Sequence, residues 1–182
     1  PSMRHAGPPR REIGIRTVFN ILGPLTNPAG AQAQVLGVAD SALGEKMAEA
    51  LSRLGTRRAM VVHGEDGMDE LSITGPTQVW EVSGDKVRSY TVTPEDAGLA
   101  RSTLDSIKGG SVERNVEAFR SVLAGAGGPP QDVVLLNTAA TLVVAGQATD
   151  LRDGASKARE AISSGAAAEK LKSFATLSQG LS

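Results

Sequence analysis

The chain has 182 residues, 40% of them hydrophobic, with 19 basic against 20 acidic side chains and a formal net charge of −1. That length suffices for one globular domain burying roughly 70% of the surface its unfolded form exposes, and the balanced charge leaves no global field favouring nucleic acid or an anionic membrane. Cysteine is absent, which excludes a disulfide framework and a thiolate nucleophile. The longest apolar stretches, such as Val133–Leu136 and Leu142–Ala145, fall far short of the roughly 20 residues a membrane helix needs. A cytoplasmic protein with no membrane partner is expected. One Trp, one Tyr and three Phe also leave no stacking platform for single-stranded nucleic acid.

The first informative stretch is Arg10 to Pro28, RREIGIRTVFNILGPLTNP. Thr17 to Leu22 reads as amphipathic helix, Gly23-Pro24 should end it, and Asn27-Pro28 should force a second turn. Ala33 to Val38 then reads as a strand, Asp40 as a cap, and Leu43, Met47, Ala50, Leu51 and Leu54 as the apolar face of a helix closed by Gly55. Arg58 to His63 is a second buried-type strand, so residues 33 to 63 predict a right-handed βαβ unit with parallel strands. Thr77 to Val82 and Lys86 to Val92 flank Ser83-Gly84-Asp85 as a hairpin expected at the sheet's edge. Three helices complete the pattern: Val112 to Ala124 behind Ser111, Asp132 to Ala145, and Asp153 to about Phe174 with a break near Gly165. Gly125 to Pro130 reads as loop, and the small residues of Ala155 to Ala168 predict close packing on another helix. The class expected is α/β, an open, mostly parallel sheet flanked by helices with an antiparallel edge hairpin.

Two segments carry chemistry. His63-Gly64-Glu65-Asp66-Gly67-Met68-Asp69-Glu70 comes directly after a predicted parallel strand, and ligands in open α/β sheets gather beyond the carboxyl ends of strands. Its adjacent Asp69 and Glu70 offer hard oxygen donors suited to Mg²⁺, which binds through one or two carboxylates plus substrate phosphates. His63 is a strand-end residue rather than a catalyst. At the other segment, Arg4, Arg10, Arg11 and Arg16 stand against the single acid Glu12, a local field that draws phosphate or carboxylate ligands. An arginine fork beside a rigid Gly-Pro wall suits a planar carboxylate bidentately. Arg4 and Arg16 read as surface charge.

Together, the RREIGIRTVFNILGPLTNP stretch and GEDGMDELS at residues 64–72 closely resemble the anthranilate phosphoribosyltransferase family of tryptophan biosynthesis. The resemblance implies a phosphoribosyltransferase and nucleoside-phosphorylase-like catalytic domain that joins anthranilate to phosphoribosyl pyrophosphate. It implies Mg²⁺ held by Asp69 and Glu70, with the anthranilate carboxylate gripped by Arg10, and Arg11 as the neighbouring alternative. Gly23 and Pro24 would line the substrate passage, and His5 would be a further contact. It further implies a homodimeric parent enzyme. The family's small helical domain and its glycine-rich diphosphate loop have no counterpart in these 182 residues. The chain, which opens Pro1-Ser2-Met3, therefore reads as the carboxyl-terminal part of the catalytic domain, a fragment expected to be inactive alone and to expose surface that the rest would cover. Two other readings are a pyrimidine nucleoside phosphorylase, which has no use for an arginine-carboxylate clamp, and a non-catalytic nucleic-acid-binding relative, against which the near-neutral charge speaks. A folded half acting only as a scaffold is a third.

Overall fold

In the computed structural model of this chain the described residues are Glu12 and residues 22–180. The backbone divides into two compact units, Pro1–Ala31 and Gln32–Ser182.

In the first unit Leu22 is helical and Gly23–Leu25 form one 3-10 turn, with Pro24 in its first two positions. Thr26 N–H donates to the Gly23 carbonyl at 3.2 Å. At the Gly-Pro pair the α pattern of Leu22 gives way to this single tight turn. A proline early in a turn loses no hydrogen bond, since the N–H it lacks would have had no partner there. Asn27 makes the second turn, as expected: its Oδ1 accepts from Ala29 N–H at 2.9 Å and its carbonyl from Gly30 N–H at 3.0 Å. The helix expected from Thr17 lies outside the described residues up to residue 21.

The second unit is built on strands β1 (Ala33–Gly37), β2 (Arg58–Gly64), β3 (Thr77–Ser83) and β4 (Lys86–Val92), hydrogen-bonded in that spatial order. β1 and β2 run parallel with Val35 opposite Met60, while β2–β3 and β3–β4 are antiparallel. The α/β class and the edge hairpin match the sequence pattern. The parallel share does not reach "mostly": one of three pairings among the described residues is parallel. The reason lies in the connections, since a parallel return needs a crossover of a dozen or more residues, usually a helix. A helix intervenes only between β1 and β2; residues 65–76, between β2 and β3, contain no helix.

That crossover is α1 (Gly44–Arg53), entered through a 3-10 turn at Ser41–Leu43 whose Asp40 cap accepts from Ala42 N–H at 3.0 Å. Its Met47, Ala48 and Leu51 are buried, and α1 packs on β2 and β3. Gly44 is where helix meets sheet: a Cβ there would overlap the ring of Trp80. The remaining helices are α2 (Leu104–Ile107), α3 (Val112–Leu123), α4 (Pro129–Val144), α5 (Leu151–Ser163) and α6 (Ala166–Gln179). α4 starts inside the expected loop because Pro129 and Pro130 are good first-turn residues, and Gly165, at φ +79°, separates α5 from α6. Neither α2 nor the 3-10 turn at Pro94–Ala97 is apparent from periodicity, both being too short to complete a recognisable repeat.

The main core lies between the sheet and the α4–α5 pair. Met60, Val62 and Val79 pack with Leu135, Leu136, Ala139, Ala140 and Val143 of α4 and with Leu151, Ala155, Ala158 and Ile162 of α5. Successive β2 side chains alternate faces, so Ala59 and Val61, both fully buried, turn to the α1 side. β2 is thus covered on both faces, and its carboxyl end is held rigidly. The small residues pack as their composition predicted, with Ala155 and Ala158 in the core against α4; Gly154, just before that stretch, lets α5 approach α4 so closely that a Cβ would stand 2.8 Å from the Ala139 Cα.

Candidate functional site

β2 ends at Gly64, and the acidic loop begins there. Gly64 N–H donates to the Met68 carbonyl at 2.8 Å, Gly67 N–H to the Gly64 carbonyl at 2.8 Å, and Glu65 N–H to the Pro76 carbonyl at 3.0 Å. Gly67 takes φ +90°, a conformation costly for any residue with a Cβ. The loop therefore folds back on itself, with its two ends laced together.

Asp66 is the pin of this turn rather than a ligand donor. Its carboxylate accepts from Met68 N–H at 3.1 Å, from Thr74 Oγ1–H at 2.7 Å and from the Ser72 hydroxyl. Burial works to raise its pKa, but the hydrogen bonds from Ser72, Thr74 and the Met68 backbone outweigh it, and the carboxyl titrates below the usual aspartate value. Ser72 N–H in turn donates to Thr77 Oγ1 at 2.9 Å, tying the loop's exit to the start of β3.

The pinned turn delivers Asp69 and Glu70 to the surface, Asp69 exposed and Glu70 half-buried. Gly37, the last residue of β1, lies directly beneath the Asp69 peptide: a Cβ on Gly37 would overlap the Asp69 carbonyl oxygen and stand 2.5 Å from its carbon. Burial, followed by the charges of Asp69 and Asp66, pushes the Glu70 carboxyl above the usual glutamate range. The charges of Asp69 and Asp66 thus act against an ionised Glu70, and a cation is the group that relieves such repulsion. Among the described residues no three His, Asp or Glu side chains converge on one point. Two hard oxygen donors at a loop tip nevertheless fit Mg²⁺, which keeps several waters and takes its other ligands from substrate phosphates.

Glu70 also borders a cavity of about 330 Å³ with Val133, Val134, Asn137, Thr138 and Thr141 of α4. Sequence reasoning missed Asn137. Its Oδ1 accepts from Leu71 N–H at 2.9 Å, and its Nδ2 donates to the Leu71 carbonyl and to the Val133 carbonyl, both at 3.0 Å. The signal in the sequence was a lone amide among the apolar residues of LLNTAATLVV, since a polar side chain on a core-facing helix must find a partner. His63 has a structural place, as expected. Its Nδ1 lies 2.8 Å from the Val38 carbonyl, and because a carbonyl can only accept, Nδ1 carries the proton.

Gly23 and Pro24 are exposed in the first unit, and among the described residues nothing lies within 4 Å of where a Gly23 Cβ would be. Arg10, Arg11 and His5 lie outside the described residues.

The sequence profile of the glycosyl transferase family, a/b domain, matches residues 1–168. The chain belongs to that family. It is 55% identical over 182 residues to the anthranilate phosphoribosyltransferase of Chloroflexus aggregans, covering 99% of this chain and 54% of that protein. To the enzyme of the same name from Moorella thermoacetica it is 52% identical over 173 residues, 95% of this chain and 51% of that one. The crystal structure of anthranilate phosphoribosyltransferase from Thermus thermophilus superimposes with a TM-score of 0.87 at 47% identity, over 96% of this chain and 51% of the other. The Saccharomyces cerevisiae enzyme in complex with PRPP and Mg gives 0.83 at 30% identity, over 94% and 50%. The chain spans about half the length of these glycosyl transferase relatives. Among the described residues, no helix is long and apolar enough to cross a membrane.

Proposed function

We propose that the protein carrying this chain transfers the phosphoribosyl group of phosphoribosyl pyrophosphate to anthranilate, a step of tryptophan biosynthesis. The observation that carries the reading is the pairing of 55% identity across the whole chain with an Asp69-Glu70 pair presented at the carboxyl end of the buried strand β2, where this class of sheet places its ligands. In the reaction the anthranilate nitrogen bonds to C1′ of the ribose as the C1′–pyrophosphate bond breaks; pyrophosphate leaves, and the nitrogen gives up a proton to solvent. Positive charge develops on the ribose and negative charge on the departing diphosphate, so electrostatic stabilisation and positioning supply the rate.

Within that reading each residue has a role. Asp69 and Glu70 hold Mg²⁺, which when bound neutralises the diphosphate. Arg10, with Arg11 as the neighbouring alternative, grips the anthranilate carboxylate through two parallel N–H···O bonds, a geometry lysine cannot supply. Gly23 and Pro24 wall the substrate passage, and His5 is a further substrate contact. No side chain is assigned as general base, because the aniline-like nitrogen attacks as the neutral amine. Residues 1–182 are the carboxyl-terminal part of a catalytic domain whose helical partner domain and glycine-rich diphosphate loop lie in the remaining length seen in the relatives. The parent is a cytoplasmic homodimer with no nucleic-acid or membrane partner.

The test measures anthranilate consumption by the full-length protein. Arg10→Ala is expected to raise the KM for anthranilate by roughly tenfold or more, the cost of losing a charge-assisted bidentate pair, and Glu70→Gln to lower kcat by at least as much, while the isolated 182-residue chain does not turn over. An Arg10→Ala enzyme with an unchanged anthranilate KM removes the clamp. Turnover by the isolated chain removes the need for a diphosphate loop elsewhere.

A further inference from the structure

The acidic pair is presented by a loop, and a loop by itself leaves a carboxylate free to wander. Two features restrain this one, the Gly37 contact under Asp69 and the Asp66 pin, which reaches across the loop to Ser72 and Thr74, but neither engages the peptide that directly follows Glu70. The peptide after Glu70 is held differently. Leu71 is fully buried, yet its backbone N–H and carbonyl find their partners in one side chain, 66 positions along the chain: Asn137 accepts from the N–H at 2.9 Å and donates to the carbonyl at 3.0 Å. The amide closes a two-bond ring on a single residue, as a neighbouring strand would. Asn137 is itself fixed, because the same Nδ2 donates to the Val133 carbonyl one helical turn back at 3.0 Å, and the next turn is braced by Thr141 Oγ1 on the Asn137 carbonyl at 2.9 Å. Glu70 and Asn137 line the same cavity along α4.

We propose that Asn137 is a positioning residue for the metal carboxylate: by clamping the peptide after Glu70 onto α4, it holds the Glu70 side chain at the mouth of the α4 cavity in the orientation that binds the cation. The inference rests on the reading of Asp69 and Glu70 as the Mg²⁺ pair and extends it to a group that never touches the metal. Residues that orient a ligand from behind typically change metal affinity by about 10- to 100-fold when removed. Asn137 does this through the Leu71 backbone, so its loss should loosen the geometry of the site and leave its charge unchanged.

The experiment measures Mn²⁺ affinity of the full-length protein by the disappearance of the free-ion paramagnetic resonance signal, in the absence of substrates, together with a thermal melt of each variant. Glu70→Gln, Asn137→Ala and Thr138→Val are compared; Thr138 lines the same cavity without clamping Leu71. Asn137→Ala is expected to weaken Mn²⁺ by about tenfold or more at a temperature where its circular dichroism is native, with Thr138→Val binding as the parent does. Should Asn137→Ala fail to fold, Asn137→Gln keeps an amide in the site but sets it one carbon further from its own backbone, out of register with Leu71, and the same loss is expected. If Glu70→Gln loses Mn²⁺ while a folded Asn137 variant binds it as tightly as the parent, the positioning role is refuted and the metal pair stands. If Glu70→Gln itself leaves the affinity unchanged, the metal pair falls and the inference with it.

Discussion

Replacing Gly37 by alanine adds a single methyl group where the site's foundation has no room for it. Gly37 closes β1 opposite Val62, and the next residue, Val38, donates its N–H to the Val62 carbonyl at 3.0 Å, so the backbone that would carry the new Cβ is tied to the centre of the sheet. The Asp69 carbonyl carbon would lie 2.5 Å from that Cβ, whereas carbon atoms in contact sit at about 3.5 Å or beyond. The Asp69 peptide must therefore retreat by more than the about 1 Å that the carbon alone requires, because its carbonyl oxygen overlaps the new Cβ outright. It is the softer of the two partners, being held by the loop's turn rather than by a strand ladder. Overpacking of this kind costs about 1–3 kcal/mol, and the clash is with backbone that cannot swing aside, so the upper part of that range is expected for Gly37→Ala. Moving the Asp69 peptide also moves the donor pair, so Mn²⁺ affinity should fall with stability. Gly44→Ala is the control: its Cβ would overlap the Trp80 ring, a clash between α1 and β3 away from both the acidic loop and α4. It should cost stability in urea unfolding yet leave metal affinity intact in the folded protein. A Gly37→Ala variant with parental unfolding midpoint and parental metal affinity would refute this account of how the loop is seated.

Glu70 and the hairpin supply two further expectations. Because burial and the neighbouring carboxylates raise the Glu70 pKa on folding, its folded form favours the proton. Its ionisation therefore opposes folding as pH rises above the usual glutamate range, the penalty growing until pH passes the raised folded pKa. Without metal, Glu70→Gln should accordingly melt above the parent at about pH 7, and the difference should vanish once pH falls below the usual glutamate value of roughly 4.3; a lower melting temperature at neutral pH would contradict this. On the β3–β4 ribbon, Glu81 accepts from Arg88 at 2.7 and 3.1 Å and from Tyr90 Oη–H at 2.8 Å, with its own side chain only 10% exposed against 73% for Arg88. Removing Arg88 leaves the buried Glu81 charge with only Tyr90 and the more distant Arg58, at 3.8 Å, whereas neutralising Glu81 leaves a solvated cation. Arg88→Ala should therefore cost about 1–2 kcal/mol, more than Glu81→Gln at about 1 kcal/mol or less; chemical denaturation that ranks the two variants the other way round would contradict the assignment of Glu81 as the buried partner.

Periodicity and turn chemistry are local quantities, and the features that depend on them could be read from the residues: the βαβ unit from Ala33 to His63, the hairpin around Gly84-Asp85, the Asn27 turn, the division of the last helix at Gly165, and the place of Asp69-Glu70 just past a strand. Each is decided by residues close in the chain, and propensity and spacing act over that range. Tertiary structure alone decided the rest. Nothing in the sequence near the acidic loop announces that Gly37 must lack a side chain for Asp69 to pass over it, or that Leu71 will be clamped by an amide 66 residues away. The number of parallel pairings likewise depended on whether a helix or a bare loop came after β2. Asp66, one acid among several in the same loop, became a structural pin because Ser72 and Thr74 fold back onto it. Long-range contacts of this sort are chosen by which surfaces meet when the core closes, and a buried hydrogen bond or a missing Cβ acquires meaning only once its partner has arrived.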